Sequence, residues 1–505
     1  MPPRRRDRRS HRDLSPSPSR PSGPRASPSS PRLRLAFIVP PLLLLVLTVL
    51  HFTGLLSRSP PYPQTPGKTP LSVYDRGLVK RQVSAGEILA EHARVSENQS
   101  RHHFPNPVLA YVTPWNSKGY DMAKLFSTKL THVSPVWYDL KSDGNKLSLE
   151  GQHNYDAGWV SELQNNGSLV VPRVVLEAFP GVVLLKKKSR DKIIELIVSE
   201  CRDKGYDGVV LESWSRWAAY GVLDDPELRQ LALQFVKQLG EALHSISSKS
   251  STRNHLELIY VIPAPRMEGP NNQDFGPEDL LELADSVDGF SLMTYDFSGP
   301  QNPGPSAPLK WIQYSLTTLL PAKGSASQGH SHMIFLGINF YGNDFLLSKG
   351  GGGSSITGRD FIHLLEKYKP SLQWDDKSSE HFFIYSDKGV RHAVFYPTLL
   401  SLSVRLDEAQ DWGAGLSIWE IGQEQVAFSM AEKIGRVRST QVFDGHDPIC
   451  QSILLHASCF HFHWSWCLFA QNISTSSAVL PGILPAISSH LHKPIVREAQ
   501  LGNHR

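Results

Sequence analysis

Past Pro107 the chain is patterned as short apolar runs separated by longer mixed segments. The runs are VLAYVTPW (108–115), THVSPVWY (131–138), SLVVPRVVLEAF (168–179), DGVVLESW (207–214), HLELIYVIPA (255–264), GFSLMTYDF (289–297), HMIFLGINFYG (332–342) and AGLSIWEIG (414–422). Each is too short for a buried helix and rich in β-branched and aromatic residues, so each reads as a strand. Most of the intervening segments carry helical signals. SRDKIIELIVSECRDKG offers Ser189 as an N-cap and stops before Gly205, and DPELRQLALQFVKQLGEALHS places Pro226 in a first turn.

Near-continuous apolar strands that alternate with helices are covered on both faces, as in a closed parallel (β/α)8 barrel, or TIM barrel. A doubly wound open sheet is the alternative, but no GxGxxG follows the first run. About seventy residues separate the seventh run from the eighth. They hold KGGGGSS, the helical RDFIHLLEKY, the strand-like HFFIYSD and HAVFYPT, and the helical SLSVRLDEAQDWG. This predicts a small α+β lobe inserted at about 343–397, beside the barrel mouth.

Upstream the pattern changes. Residues 35–56, LAFIVPPLLLLVLTVLHFTGLL, carry no formal charge and match the length that crosses a bilayer core of roughly 30 Å. Residues 1–34 are a Pro/Ser/Arg tract with ten arginines against Asp7 and Asp13, expected to be disordered and to stay cytoplasmic. The expectation is a single-pass anchor, with a cleaved secretory signal as the alternative, and the barrel lumenal or extracellular, in the secretory or endomembrane system. Residues 57–105 then read as a stem with a short helical patch at SAGEILAEHARVSEN. On such a chain Asn98, Asn166 and Asn472 are glycan acceptors, each in an N-x-S triplet.

Charge and cysteine usage exclude some classes. The formal net charge is +4, but the first 34 residues contribute +8, which leaves −4 for the rest and gives no basic surface for nucleic acid. Of four cysteines only Cys201 lies in the main body, so no disulfide framework holds it. Residues 435–505 have no sustained period and are expected to fold poorly. Their Cys459, His461, His463 and Cys467 lack the ligand spacing of a structural zinc site, so neither metal nor cofactor is implied.

Strand ends carry the candidate chemistry. In the fourth run, alternation puts Val210, Glu212 and Trp214 on one face. The other ends add Trp115, Trp137, Tyr138, Glu177, Phe179, Tyr295, Asp296, Tyr341, Trp419 and Glu420. An aromatic rim with interspersed carboxylates suits a sugar, whose C–H faces lie on rings while its hydroxyls bond to acids. The site residues expected from this are Trp115, Trp137, Glu212, Trp214, Tyr295, Asp296, Tyr341 and Trp419.

These stretches resemble glycoside hydrolase family 18, the chitinases and chitinase-like lectins. The resemblance covers about 106–424 and rests on LSLMTYDFSGP, FLGINFYG, LSIWEIG and YDGVVLESW. VLAYVTPWNSKGYD, SPVWYDL, SEHFFIY and VFYPTLLSL are most similar to its stabilin-interacting, chitinase-domain-containing branch, described as lectin-like oligosaccharide binders. The strand-four motif of the family is DGxDxDxE. Aligned on Asp207-Gly208, it puts Val210 and Glu212 at the second and third aspartates and Trp214 at the catalytic glutamate. The family's acid protonates the glycosidic oxygen while the substrate's N-acetyl carbonyl attacks. An indole N–H cannot serve as that acid. The resemblance therefore implies a chitin or oligosaccharide binder without hydrolase activity. Two alternatives stay open: a divergent glycosidase using Glu212 or Glu177 as acid, and a protein-interaction scaffold.

Overall fold

The computed structural model describes residues 67–423 apart from 70, 97–103, 249–253, 268, 270, 321–325 and 349–350. The N-terminal tail, the apolar segment 35–56, Asn98, Asn472 and segment 435–505 lie outside the described residues. No helix among the described residues is long and apolar enough to cross a membrane.

The main sheet contains β1 (Val108–Val112), β2 (His132–Pro135), β3 (Tyr138–Asp143), β4 (Lys146–Glu150), β5 (Leu169–Val170), β6 (Arg173–Leu176), β7 (Gly208–Glu212), β8 (Glu257–Pro263), β9 (Gly289–Met293), β10 (Ile334–Asn339) and, after the insertion, β16 (Gly415–Trp419). Its order is β4-β3-β6-β7-β8-β9-β10-β16-β1-β2-β5, parallel throughout except for the β3–β4 hairpin. The two ends of this order are pieces of the same apolar runs. β2 and β3 divide the second run, and β5 and β6 divide the third. β5 pairs with β2 while β6 pairs with β3, so the sheet curls back upon itself.

Prolines cause both breaks. Pro172 has no N–H to give to a ladder, and the sheet crosses it through Val171 N–H to Val133 O and Val210 N–H to Pro172 O, each at 3.0 Å. Pro135 ends β2, and Trp137 N–H turns back to its carbonyl at 3.0 Å. A curled sheet of eight apolar runs, mixed through one hairpin, fits a TIM barrel.

Alternation sorts the side chains. Leu109, Tyr111, Val171, Val210, Ile259, Val261 and Phe335 form the cluster inside the curl, while Val209, Leu211, Leu258 and Tyr260 pack outward against helices. Helix Pro226–His244 starts at Asp225, whose carboxylate caps Glu227 and Leu228 N–H. Helix Lys187–Lys204 ends on Gly205 at φ +71°, but its N-cap is Lys186. Ser189 therefore lies inside the first turn and does not cap it.

The insertion is a five-stranded antiparallel sheet: β11 (Gly342–Leu346), β12 (Gly353–Ile356), β13 (Gln373–Asp375), β14 (Glu380–Asp387) and β15 (Val390–Tyr396), in the order β12-β11-β15-β14-β13. Helix Gly358–Tyr368 packs on it through Phe361, which stacks on Tyr396 at 4.2 Å. At its root, Glu380 pairs with Arg405 of helix Leu399–Trp412 at 3.1 Å, and both side chains are buried.

The stem expectation needs correction over residues 71–94. Helix Ala85–Glu91, with a Ser84–Glu87 capping box, lies near Phe361, Tyr396 and Leu399 along an apolar crevice. Arg81 O accepts from His381 Nε2 at 2.8 Å, Tyr74 Oη lies 3.1 Å from Ser403 Oγ, and Val73 is fully buried. Apolar positions at Val73, Val83, Ala85 and Ile88 make this stretch part of the folded body.

Candidate binding cleft

At the C-terminal end of β7, Glu212 continues the inner face above Val210, and Arg173, the first residue of β6 and level with Val210, reaches it from the inner face above Val171. Arg173 Nε donates to Glu212 Oε2 at 2.7 Å, and Nη2 donates to the same oxygen. The guanidinium also lies over the Trp419 indole, 5.2 Å from its centroid. Trp419 is half-buried on the inner face of β16, against Tyr111 at 5.1 Å. Below it, Tyr111 Oη donates to Ser291 Oγ of β9 across the interior at 2.9 Å. This cation, carboxylate and indole form the floor of a cleft.

One wall follows β9. Tyr295 is half-buried, and Asp296 is exposed at φ +63°. Tyr341, buried, donates its hydroxyl to Asp296 Oδ1 and meets Tyr295 edge-on at 6.4 Å. Burial pushes both tyrosine hydroxyls well above their ordinary range, with Asp296 adding to the effect. Both stay protonated donors over the physiological range.

Two expected positions, Trp137 and Trp214, are displaced. Trp137 is buried among Tyr120, Tyr155, Trp159 and Tyr206, and its Nε1–H donates to Tyr120 Oη at 2.7 Å, so it packs under helices and offers no face to a ligand. Trp214 is 1% exposed. Its indole donates to Gln273 O at 2.9 Å, meets Phe275 edge-on at 4.9 Å and lies under the Arg229 guanidinium. The cause is local: β7 ends at Glu212, Ser213 turns, and Trp214 opens helix Trp214–Ala219, so strand alternation no longer aims it inward. The motif's acid position thus holds a buried packing residue and not a stacking platform. Glu177, the other candidate acid, pairs with Arg216 Nη1 at 2.5 Å.

Glu420 is also structural. It has no exposed surface, accepts from Asn116 Nδ2 at 2.6 Å and Gly422 N–H at 3.0 Å, and clasps the loop after β1 to the end of β16. Burial, only partly offset by these bonds, raises its pKa to about 6 from an ordinary 4.5. A raised carboxylate favours the protonated folded state, so its contribution is complete below the unfolded value and is lost as pH rises through about 6. The effect amounts to about 2 kcal/mol. Urea denaturation from pH 4 to pH 7 should show the wild type losing about that much stability relative to Glu420→Gln. A constant difference between the two would show that burial does not control this carboxyl.

Exposed aromatics were only partly anticipated. Trp115 is 70% exposed after β1, Phe179 lies after β6, Tyr220 lies past β7, and Phe297 follows β9. Among the described residues these four are the exposed large aromatic side chains, and all lie on loops at the C-terminal ends of the strands. Phe179 and Tyr220 meet edge-on at 5.5 Å. Tyr220 escapes strand-end counting because it lies at the end of the helix after β7, whereas Phe297 closes the sixth run and was passed over for Tyr295 and Asp296. Arg173 was missed as well, although a lone charge in VVPRVVL that shares a face with Val171 was the available signal.

Residues 107–424 match the family described as Glycosyl hydrolases family 18. The chain belongs to glycoside hydrolase family 18. Solved structures with the same fold include a chitinase from Chromobacterium violaceum, 21% identical over 65% of this chain and 98% of that one, with a TM-score of 0.52. Another is the Bacillus cereus spore cortex-lytic enzyme SleL, 17% identical over 67% and 75%, with a TM-score of 0.52. A third is a Cycas revoluta chitinase in complex with (GlcNAc)3, 14% identical over 65% and 99%, with a TM-score of 0.54. At these identities the likeness carries the fold, and the family 18 chain is read for function from its own residues.

Proposed function

We propose that this chain is a chitinase-like carbohydrate-binding protein that takes chitin-type oligosaccharides and does not cleave them by the family mechanism. The observation that carries this reading is the pairing of two facts on one face. Every exposed large aromatic among the described residues rims the strand ends, and the motif's acid position is the buried Trp214. Trp419, Tyr295 and the Tyr341–Asp296 pair supply an indole, hydroxyl donors and a carboxylate acceptor within the rim. A solved relative holds (GlcNAc)3, which makes N-acetylglucosamine oligomers the first ligands to test. The reading fits the lectin-like, stabilin-interacting branch of the family. It includes an N-terminal anchor at 35–56 that keeps the barrel lumenal or extracellular.

Calorimetry of the full-length protein with these oligomers should show saturable binding, and mass spectrometry after long incubation should show intact ligand. Trp419→Ala should weaken binding about tenfold, the loss of one stacking surface. Unchanged affinity in that variant would remove the cleft from the account.

A second reading keeps Glu212 as an acid, because its carboxylate lies in the cleft floor. Products that appear with wild type and vanish with Glu212→Gln would establish it. Glycan attachment at Asn166 carries a geometric condition. Asn166 is exposed, but Ser168 of its triplet is buried with its hydroxyl on Ser127 O and Leu130 O, so transfer there has to precede folding.

A further inference from the structure

At the opposite end of the sheet, three ligand-type side chains from separate elements converge. His244 is the last residue of helix Pro226–His244, His255 precedes β8, and Asp288 precedes β9. His244 Nε2 lies 2.9 Å from Asp288 Oδ2, and His255 Nε2 lies 2.9 Å from Oδ1. The imidazole rings lie side by side with centroids 4.2 Å apart. One ligand atom from each residue falls within 4.8 Å of the others. The side chains are 25%, 36% and 20% exposed, so the cluster is partly enclosed but open to solvent.

We propose that His244, His255 and Asp288 form a binding site for a divalent cation of the zinc class at the N-terminal face of the barrel. Two imidazole nitrogens and one carboxylate oxygen are borderline donors of the kind zinc takes, and three protein ligands leave a position for water. Zinc bonds of about 2.0–2.2 Å put neighbouring ligand atoms roughly 3.3 Å apart in a tetrahedron, so small side-chain rotations close this set around an ion. The carboxylate is already oriented. Asp288 Oδ2 accepts Leu258 N–H at 2.7 Å, and Asp288 N–H donates to Leu258 O at 2.8 Å, which fixes the ligand to β8 as a metal's outer partners do. On the face away from the cleft, the ion would tie the end of one helix to the starts of two strands. The site is independent of what the cleft binds.

The test uses the untagged full-length protein, stripped with chelator and then given Zn²⁺ or Co²⁺ alone. Wild type is compared with His244→Gln, His255→Gln and the double variant. All are made with Cys459→Ser and Cys467→Ser, so that the C-terminal thiols do not bind the probe. Elemental analysis should find one ion per chain fewer in the double variant. Zinc in large excess over its dissociation constant should raise the wild-type Tm by about 5 °C and leave the double variant unmoved. Bound cobalt should give visible ligand-field bands that His255→Gln, at the most exposed of the three positions, weakens without lowering the metal-free Tm. Equal metal content and equal Tm shifts in wild type and double variant would overturn the site and leave the triad as a hydrogen-bonded clasp.

Discussion

Replacing Arg405 by methionine should lower the unfolding free energy by about 3–5 kcal/mol, the cost of breaking a buried ion pair from one side. Arg405 and Glu380 are almost wholly enclosed, and the guanidinium donates to Ser379 O at 3.0 Å, Ser401 O at 2.6 Å, Ser378 O at 3.2 Å and also to Ala307 O. Glu380 accepts Ser306 N–H at 3.1 Å and Ala307 N–H at 2.7 Å. Burial is the largest influence on both groups, raising the carboxyl and lowering the guanidinium, and each opposes that push on the other. Removing the cation leaves a dry carboxylate and several carbonyls without donors. Adding Glu380→Leu should not restore stability, because Ser306 and Ala307 N–H would then lack their acceptor. Chemical denaturation followed by tryptophan fluorescence measures both variants. A loss below about 1 kcal/mol for Arg405→Met would mean that water reaches the pair.

Gly208→Ala should be at least as damaging. Gly208 opens β7 at φ +151°, a conformation L side chains rarely adopt, and an added Cβ would lie 2.1 Å from the Glu257 carbonyl oxygen on the neighbouring strand. Neither backbone can yield without breaking the β7–β8 ladder, so a cost above about 4 kcal/mol and little soluble protein are expected. Gly144→Ala is the control: it has φ +54° in the β3–β4 turn and open space around its Cβ, so only the backbone cost of about 1 kcal/mol should appear. Equal yields of the two variants would refute the steric account. The Asp207-Gly208 half of the strand-four motif thus has a structural reason to exist without catalysis. Asp207 accepts Val170 N–H and Gln164 Nε2, each at 2.8 Å, and so anchors the turn into β7.

Strand positions were legible because both faces of the curled sheet are buried, which forces apolar runs with sharp ends. The second and third runs were legible as runs but not as split strands, since Pro135 and Pro172 interrupt the ladder without interrupting hydrophobicity. The hairpin strand β4, KLSLE, is half solvent-facing and went uncounted for the opposite reason. The insertion's longest strands and its helix were visible, whereas β11 to β13 were too short or too Gly- and Ser-rich to register.

In the cleft, alternation carried Val210 and Glu212 correctly to the inner face and failed two residues later, where Trp214 starts a helix. A motif alignment counts residues and does not see that change of period. Trp419 could be placed from its strand end, but its Arg173 partner comes from a strand distant in sequence. The His244–His255–Asp288 cluster was beyond sequence reasoning for the same reason, since its members share no spacing and meet only after two strands and a helix have packed.

The packing of residues 71–94 on the inserted lobe and the helix that follows it bears on how the chain reaches its native state. His381 meets Arg81 across 300 residues, and Tyr74 meets Ser403 across 329. A ribosome adding about 5–20 residues per second takes roughly 15–60 s to produce the partner surface after the segment emerges. Throughout that interval Ile88 lacks the Phe361, Tyr396 and Leu399 side chains it lies beside in the native crevice, and closing so long a loop is a slow, late event. Docking of this segment therefore follows synthesis of the insertion and the helix after it, and comes late in folding.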